Sequence, residues 1–218
     1  FGYRPRRSRK EDGTAVNILL INHYAGSKRH GMEYRPYYMA REWVKAGHKV
    51  TIAAASVSHV RSVQPEVSKY LTEEYIDGIR YLWIKTPKYE SNGAWRAVNI
   101  FSFAGMLYAL SGAITRGHKP DAVIASSTYP LDIYPAAYIA RRAKAKLVFE
   151  VHDLWPLSPI ELGGMSPIHP FIMIMQMAEN YAYRKADLVV SMLGNAKSHM
   201  EAHGMDPGKF HVIPNGFD

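Results

Sequence analysis

The stretch Leu147-Val148-Phe149-Glu150-Val151-His152-Asp153 combines an apolar run with a cluster of polar residues at its end. A short continuous run of β-branched and aliphatic residues is typical of a strand buried on both faces of a parallel sheet. Six other short runs along the chain have a similar character. Together the predicted strands cover residues 16–22, 49–54, 79–84, 122–126, 147–151, 188–191 and 210–213.

Apolar residues at helical spacing fill the gaps between these strands. The first helix is expected to begin at or near Pro36, because a residue before proline avoids the α conformation, and to end at Gly47. Four more helices are predicted near residues 101–114, 133–143, 168–184 and 195–203. Residues 56–77 receive no assignment. The alternation predicts an α/β fold, a Rossmann-like doubly wound parallel sheet of about seven strands flanked by helices.

The composition excludes several classes of protein. The chain has 218 residues, of which 47% are hydrophobic, which is ample for a core. The absence of cysteine excludes a disulfide scaffold, a thiolate zinc site and a cysteine nucleophile. No apolar run reaches 18 residues, and residues 98–114 are interpreted as a buried or interfacial helix. We therefore expect a cytoplasmic protein.

Positive charge is concentrated at the start of the chain. The formal net charge is +8, and residues 1–13 contain a basic cluster formed by Arg4, Arg6, Arg7, Arg9 and Lys10. We interpret residues 1–13 as a basic disordered arm. Peripheral contact with an anionic membrane is the main alternative, whereas nucleic acid is not expected because no recognition motif for it is present.

Ligands of open parallel sheets bind beyond the carboxyl ends of the strands, where the strand order reverses. Three polar loops follow predicted strands and are rich in small residues. They cover residues 23–33, 126–130 and 152–159. We expect these three loops to form the functional site.

The first loop does not carry a known phosphate-binding motif. Gly26 and Gly31 have the glycine spacing of a P-loop, but Met32 and Glu33 stand where lysine and serine or threonine are required. A Gly-x-Gly-x-x-Gly fingerprint is also absent. Gly31 is expected to open a helix, whose amino terminus would favour an anion.

Basic side chains surround that glycine in the sequence. Lys28, Arg29 and Arg35 would add positive charge to the same loop. The alternative interpretation is a turn glycine with solvated basic neighbours.

The third loop has the densest cluster of polar residues. Glu150, His152 and Asp153 lie within four residues, and alternation along the strand directs Glu150 and His152 to the same side. His152 could contact a phosphate or a sugar hydroxyl. Alternatively, His152 is a structural histidine and Asp153 caps a turn or helix.

Other constellations predict no catalysis. His199 and His203 have the i, i+4 spacing of metal ligands on a helix, but the sequence identifies no third ligand. No metal site and no cofactor are therefore predicted. Neither a Gly-x-Ser-x-Gly elbow nor an Asp-x-Asp motif is present.

Three segments resemble family 4 glycosyltransferases of the GT-B fold. Residues 30–50 resemble the GGxER…LxxxGHEV opening of that family, with Gly31 on the second glycine, Glu33 on the glutamate and His30 in place of the first glycine. Residues 149–156 (FEVHDLWP) resemble the EVxDLWP signature of the WbuB/WcaI-like branch. Residues 212–218 (VIPNGFD) resemble the VIPNGVD segment that enters the interdomain linker.

The resemblance implies the acceptor-side half of a two-domain enzyme. Residues 14–218 would be the Rossmann-like N-terminal domain, ending at the linker, and a donor-binding C-terminal domain would be absent. In the family, the histidine that matches His152 is the active-site residue that contacts the transferred sugar, and the glycine that matches Gly31 lies near the donor diphosphate. Residues expected to bind the acceptor or line the cleft are Lys28, Arg29, Glu33, Tyr129, Glu150, Asp153 and Trp155.

The implied activity is retaining, metal-independent transfer of a sugar from a nucleotide-sugar to a glycan or polyprenyl-pyrophosphate-linked acceptor. This would serve bacterial cell-surface polysaccharide synthesis at the inner face of the plasma membrane. The full-length protein would be a hexosyltransferase, and the present chain alone would be inactive. The alternatives are a nucleotide-sugar epimerase of the same fold and a non-catalytic membrane-associated binding module.

Overall fold

A computed structural model describes residues 14–89 and 93–216 of the chain. The basic cluster within residues 1–13 lies outside the described residues, so the interpretation of that segment stays a prediction. Within the described ranges, none of the helices has the length and hydropathy needed to cross a bilayer.

Eight strands form one sheet with the order β3-β4-β2-β1-β5-β6-β7-β8. Every neighbouring pair is parallel except β3 and β4, which are antiparallel. The predicted fold class is confirmed, and all seven predicted strands are present. The strands are β1 (Asn17–Ile21), β2 (Lys49–Ala55), β3 (Leu71–Ile76), β4 (Ile79–Ile84), β5 (Ala122–Ala125), β6 (Lys146–Val151), β7 (Leu188–Ser191) and β8 (Phe210–Val212).

The strand that was not predicted, β3, lies at the edge of the sheet. Half of the residues in its sequence LTEEYI are polar, since only one of its faces is covered, and it lacks the apolar run of the other strands. A two-residue turn joins it to β4, with φ of 50° at Asp77 and 80° at Gly78. An Asp-Gly pair with two positive φ values is the preferred turn of an antiparallel hairpin. The unassigned segment therefore ends in an edge strand.

In the described parts of the chain, seven α-helices connect the strands. All five predicted helices are present, although the second begins earlier than predicted and is divided at Leu110. Pro36 occupies the first turn of the first helix, as expected. The short helix at Leu157–Glu161 was not predicted. The helices are α1 (Arg35–Lys45), α2 (Ala94–Ala109), α3 (Ser111–Ile114), α4 (Ile133–Ala143), α5 (Leu157–Glu161), α6 (Pro170–Lys185) and α7 (Lys197–Ala202).

Helices cover both faces of the sheet. On one face, Tyr37 and Ala40 of α1 pack with Ile52, Tyr81 and Trp83 in one buried cluster. On the other face, a larger cluster joins α2, α4 and α6 to the strands, with members that include Phe103, Leu107, Ile139, Ala182 and Phe149. Burial on both faces explains why most of the strands are continuous apolar runs.

The loop after β1 is tightly folded, and it corrects one prediction. Gly31 does not open a helix, because α1 begins only at Arg35. Instead Gly31 pairs with Ser27 across a tight turn and has a φ of 86°. A Cβ there would lie 2.4 Å from the hydroxyl oxygen of Ser62. Gly31 is thus required by the turn, and the helix dipole of α1 does not act at this residue.

Gly26 closes the same loop, and its replacement by alanine tests the packing. A Cβ at Gly26 would lie 1.9 Å from the carbonyl oxygen of Gly31, so the backbone must move. We expect Gly26→Ala to lower the free energy of unfolding by about 2 kcal/mol or more. Urea unfolding at equilibrium measures this change.

The control is Gly105→Ala in the interior of α2, where no atom lies within 4 Å of the added Cβ. This variant should be unchanged or more stable by up to about 1 kcal/mol, because alanine is the better helix former. Equal stability of the Gly26→Ala variant and the unmodified chain would contradict the packing argument.

Candidate functional site

The three predicted loops meet at the carboxyl edge of the sheet. The chain runs from β1 to β2 on one side and returns to β5 on the other, so the strand order reverses between β1 and β5. Asn22, directly after β1, donates from Nδ2 to the carbonyl oxygen of Ser126 after β5 at 2.6 Å. His23 donates its backbone N–H to Ser127 Oγ at 2.9 Å. The location of the candidate site is the one expected for an open parallel sheet.

A buried carboxylate at the end of β6 organises the site. Glu150 Oε2 accepts a hydrogen bond from Ser126 Oγ at 2.6 Å. His152 Nε2 lies 3.0 Å from the same hydroxyl and 3.3 Å from Glu150 Oε2. Both contacts of His152 involve Nε2, and in the described part of the chain Nδ1 has no hydrogen-bond partner. The network fixes the imidazole and leaves one ring nitrogen for a ligand.

Arg35 joins this carboxylate to the last described segment of the chain. Its Nε donates to Glu150 Oε1 at 3.0 Å, and the ion pair is buried on both sides. The two terminal nitrogens donate to Ile213 O at 2.8 Å, Pro214 O at 3.2 Å and Asn215 Oδ1 at 2.9 Å. One guanidinium therefore holds the start of α1, the end of β6 and residues 213–215.

Glu150 is ionised throughout the physiological range. Burial alone would raise the pKa of its carboxyl, but hydrogen bonds from His152 and Ser126 and the charge of Arg35 lower the pKa to about 2. An ionised carboxylate with these partners accepts hydrogen bonds and does not donate a proton. Its role is therefore to orient Ser126 and His152.

A second polar layer lies beneath the network. His23 Nδ1 and the hydroxyl of Tyr129 are 2.5 Å apart, and Asp132 Oδ2 accepts from the backbone N–H of Ser127 at 3.3 Å. Burial, together with the charge of Arg61, lowers the pKa of His23 well below its ordinary value, so His23 is neutral. Burial raises the pKa of Asp132 to about 7. This layer supports the loops from below.

Two of the residues predicted to bind the acceptor or line the cleft are buried. Tyr129 is 1% exposed and Glu150 is 2% exposed, so neither lines a cleft in this structure. Tyr129 belongs to an apolar cluster below the first loop, because its ring packs against His23 and Tyr24. Both residues hold neighbouring side chains in place.

Asp153 and Trp155 make different kinds of contact. Asp153 Oδ1 accepts from Leu154 N at 2.8 Å and from Ser158 Oγ at 2.6 Å, which ties the loop after β6 to α5. Its carboxylate thus makes local hydrogen bonds within this loop. Trp155 is partly exposed, and its ring contacts Phe171 at the start of α6.

The remaining predicted residues of the first loop lie at the surface. Lys28 and Arg29 are exposed, and Arg29 pairs with Glu74 of β3 at 3.1 Å. Glu33 accepts the backbone N–H of Arg35 at 3.3 Å. It lines an open groove of about 840 Å³ between α1 and residues 213–216.

A second groove opens at the same edge of the sheet and was not identified from the sequence. It has a volume of about 900 Å³ and lies between the segments that follow β2 and β4. Its lining includes Ser58, His59, Lys85, Lys88 and Tyr89. The two lysines are exposed, so the groove carries positive charge. The sequence signal for it was the irregular stretch after β2, which received no assignment.

Comparison with known proteins gives a family match. A family model described as a glycosyl transferase 4-like domain matches residues 30–216. A search of curated proteins gives no significant match.

Several solved structures share the fold. The structure of HepE of Anabaena, solved with UDP and glucose, matches with a TM-score of 0.53 at 15% sequence identity. The matched region covers 93% of this chain and 45% of the HepE chain. A sucrose-phosphate synthase structure from Thermosynechococcus elongatus matches with a TM-score of 0.57 at 13% sequence identity. The matched region covers 91% of this chain and 88% of the synthase chain.

The UDP-GlcNAc 2-epimerase of Methanocaldococcus jannaschii matches with a TM-score of 0.51 at 12% sequence identity. The matched region covers 91% of this chain and 45% of the epimerase chain. The chain thus spans less than half the length of HepE and of this epimerase. At such low identity these likenesses establish the fold alone.

Replacing Glu150 with glutamine tests the network. The change leaves the Arg35 guanidinium buried without its countercharge, and we expect a loss of about 3–5 kcal/mol in the free energy of unfolding at pH 7. Since the pKa of Glu150 is about 2 in the folded chain against an ordinary 4.5, its contribution is complete above pH 4.5. The difference between Glu150→Gln and the unmodified chain should shrink as the pH falls from 4.5 towards 2.

The measurement is urea unfolding across that pH series. The control is Glu42→Gln on the outer face of α1, where the carboxylate is 57% exposed and should contribute no measurable stability. Equal stability of Glu150→Gln and the unmodified chain at pH 7 would show that the ion pair does not hold the site.

Proposed function

Because the chain belongs to the family of glycosyl transferase 4-like domains, we propose that it forms the acceptor-side half of a retaining glycosyltransferase. The enzyme transfers a sugar from a nucleotide-sugar to a glycan or lipid-linked acceptor in cell-surface polysaccharide synthesis. The observation that carries the proposal is the position of His152. It lies beside the topological switch point against Ser126, which follows β5, is oriented through Nε2, and keeps Nδ1 without a protein partner among the described residues.

His152 acts on the sugar that is transferred. With Nε2 held by Ser126 and Glu150, its Nδ1 is available to a hydroxyl of the donor sugar and fixes that sugar against the acceptor. The acceptor hydroxyl forms the new bond to the anomeric carbon as the bond to the diphosphate breaks. The hydroxyl proton passes to the departing diphosphate. Stabilisation of the charge on that diphosphate is the main catalytic contribution.

The groove beyond β2 and β4 is the proposed place for the acceptor. Lys85 and Lys88 lie at its rim, and His59 contributes a further polar group. Such a lining suits a phosphate or pyrophosphate group, which carries several negative charges. The groove opens at the same sheet edge as His152, and its positive charge suits an acceptor that carries a pyrophosphate group.

The nucleotide-sugar is proposed to bind mainly to a second domain of a longer protein. The chain covers 45% of HepE, whose structure contains UDP and glucose. Residues 213–216, held by Arg35, would lead towards that domain. On this proposal the present chain alone binds nucleotide-sugar weakly and does not catalyse transfer.

Exposed apolar side chains support a contact with membrane lipid. Trp95 and Phe101 of α2 are 67% and 41% exposed, and Met173 and Met177 of α6 are 51% and 63% exposed. The two helices meet where Phe101 and Phe171 form a ring contact. An apolar surface of this kind, with the basic cluster of residues 1–13, suits peripheral binding to an anionic bilayer.

A nucleotide-sugar epimerase is the competing function on this fold. Such an enzyme needs acid and base groups that exchange protons with the sugar. The carboxylate nearest His152 is Glu150, whose pKa is about 2 and whose side chain is buried. A carboxylate in this state is a poor proton donor, and Asp132, whose pKa is about 7, is 0% exposed and therefore out of reach of a sugar, so the site favours transfer over epimerisation.

Replacing His152 with alanine in the full-length protein tests the proposed role. We expect the rate of sugar transfer to fall by roughly 10²–10³-fold, because an oriented contact to the transferred sugar is lost. Far-ultraviolet circular dichroism should show an unchanged fold. The assay follows release of free nucleotide and formation of the glycosylated acceptor.

The control for this experiment is His118→Ala, a partly exposed histidine outside the site. It should retain the rate of the unmodified enzyme. Near-normal transfer by His152→Ala would overturn the role of His152. Isomerisation of the nucleotide-sugar in the absence of acceptor would instead identify an epimerase.

Vesicle sedimentation tests the membrane contact. We expect Trp95→Ser to weaken binding to phosphatidylcholine vesicles by about tenfold or more, since a large exposed aromatic side chain no longer enters the lipid. Removal of residues 1–13 should weaken binding only when phosphatidylglycerol is present.

Tyr70→Ser is the matched control, because Tyr70 is 69% exposed and lies beside the edge strand β3. Its binding to vesicles should equal that of the unmodified chain. Unchanged binding of Trp95→Ser would show that the surface of α2 and α6 does not contact lipid.

A further inference from the structure

A histidine pair at the end of α7 meets a buried glutamate of α6. His199 Nε2 lies 3.3 Å from Glu179 Oε1. His203 follows α7, and its ring centroid lies 4.2 Å from that of His199. One ligand atom from each of the three side chains lies within 4.8 Å of the other two. The structure thus supplies the third group that the spacing of the two histidines did not reveal.

Neighbouring groups orient these side chains. Tyr183 donates its hydroxyl to Glu179 Oε1 at 2.9 Å, and Gln176 Nε2 donates to Glu179 Oε2 at 2.7 Å. His203 Nδ1 lies 2.8 Å from the carbonyl oxygen of His199. Since a carbonyl oxygen only accepts, Nδ1 of His203 must carry the proton, and Nε2 keeps its lone pair. Metal-binding histidines are commonly held through the other ring nitrogen in this way.

A neighbouring cation would also stabilise the buried carboxylate of Glu179. Its side chain is 2% exposed, and the ion pair that it forms is with His199. A buried carboxylate is costly unless a positive charge compensates it. A divalent ion would compensate the carboxylate and bind one nitrogen of each imidazole.

We propose that Glu179, His199 and His203 form a binding site for a divalent transition-metal ion. Two imidazoles and one carboxylate are a ligand set that suits Zn²⁺, whereas Mg²⁺ and Ca²⁺ prefer oxygen ligands. The ion joins α7 to α6 on a part of the fold that shares no residue with the network of Arg35, Glu150 and His152. The site is independent of the proposed transfer reaction, and its role is to fix α7.

Titration calorimetry with ZnCl₂ on the chain without a polyhistidine tag tests the site. We expect one bound ion per chain. His203→Ala should weaken binding by at least about tenfold, because a ligand is lost from a set of three. His211→Ala, which removes an exposed histidine on β8, is the control and should bind Zn²⁺ as the unmodified chain does. Undiminished binding by His203→Ala, or loss of binding in His211→Ala, would overturn the proposal.

Thermal unfolding provides a second measurement that does not depend on an activity. ZnCl₂ should raise the Tm of the unmodified chain and of His211→Ala, but not that of His203→Ala or Glu179→Gln, since an ion that binds the folded state stabilises it. MgCl₂ at the same concentration should leave every Tm unchanged. An equal rise with MgCl₂, or a rise with ZnCl₂ in His203→Ala, would contradict a site built on imidazoles.

Discussion

The buried ion pair between Arg35 and Glu150 joins three distant parts of the chain. Glu150 Oε1 receives the guanidinium, and Oε2 receives Ser126 and lies beside His152. Separating such a pair leaves an uncompensated charge in the protein interior, at a cost of about 3–5 kcal/mol. The orientation of His152 therefore rests on an interaction that begins in α1, well outside the strand that carries the histidine.

The position of this network follows from how the sheet is covered. Helices pack on both faces of the strands, so polar side chains from the strands collect where the strands end. The loop after β1 closes one side of the site, and its glycines allow the backbone to fold tightly there. A site fixed by packed backbone and a buried ion pair needs little rearrangement when a ligand arrives.

The sequence predicted seven of the strands and the meeting of the three loops at the candidate site, because both follow from local pattern. The apolar run of β6 predicted a buried strand, and its alternation placed Glu150 and His152 on one side, where both meet Ser126. The edge strand β3 was missed because one face of it is open and half of its residues are polar. The sequence also did not predict contacts between residues that lie far apart in the chain. Arg35 binds Ile213, which lies 178 residues away in the chain.

One guanidinium serves both the site and the segment at residues 213–215. Three of its hydrogen bonds go to that segment, and hydrogen bonds to a charged group contribute roughly 1.5–3 kcal/mol each. A displacement of the segment removes three neutral acceptors from Arg35 and allows its guanidinium to move relative to Glu150. The side chain of Glu150 contacts both Arg35 and His152, so a shift of the guanidinium is passed to the histidine through this one carboxylate. The geometry of the imidazole is thereby coupled to the position of residues 213–215.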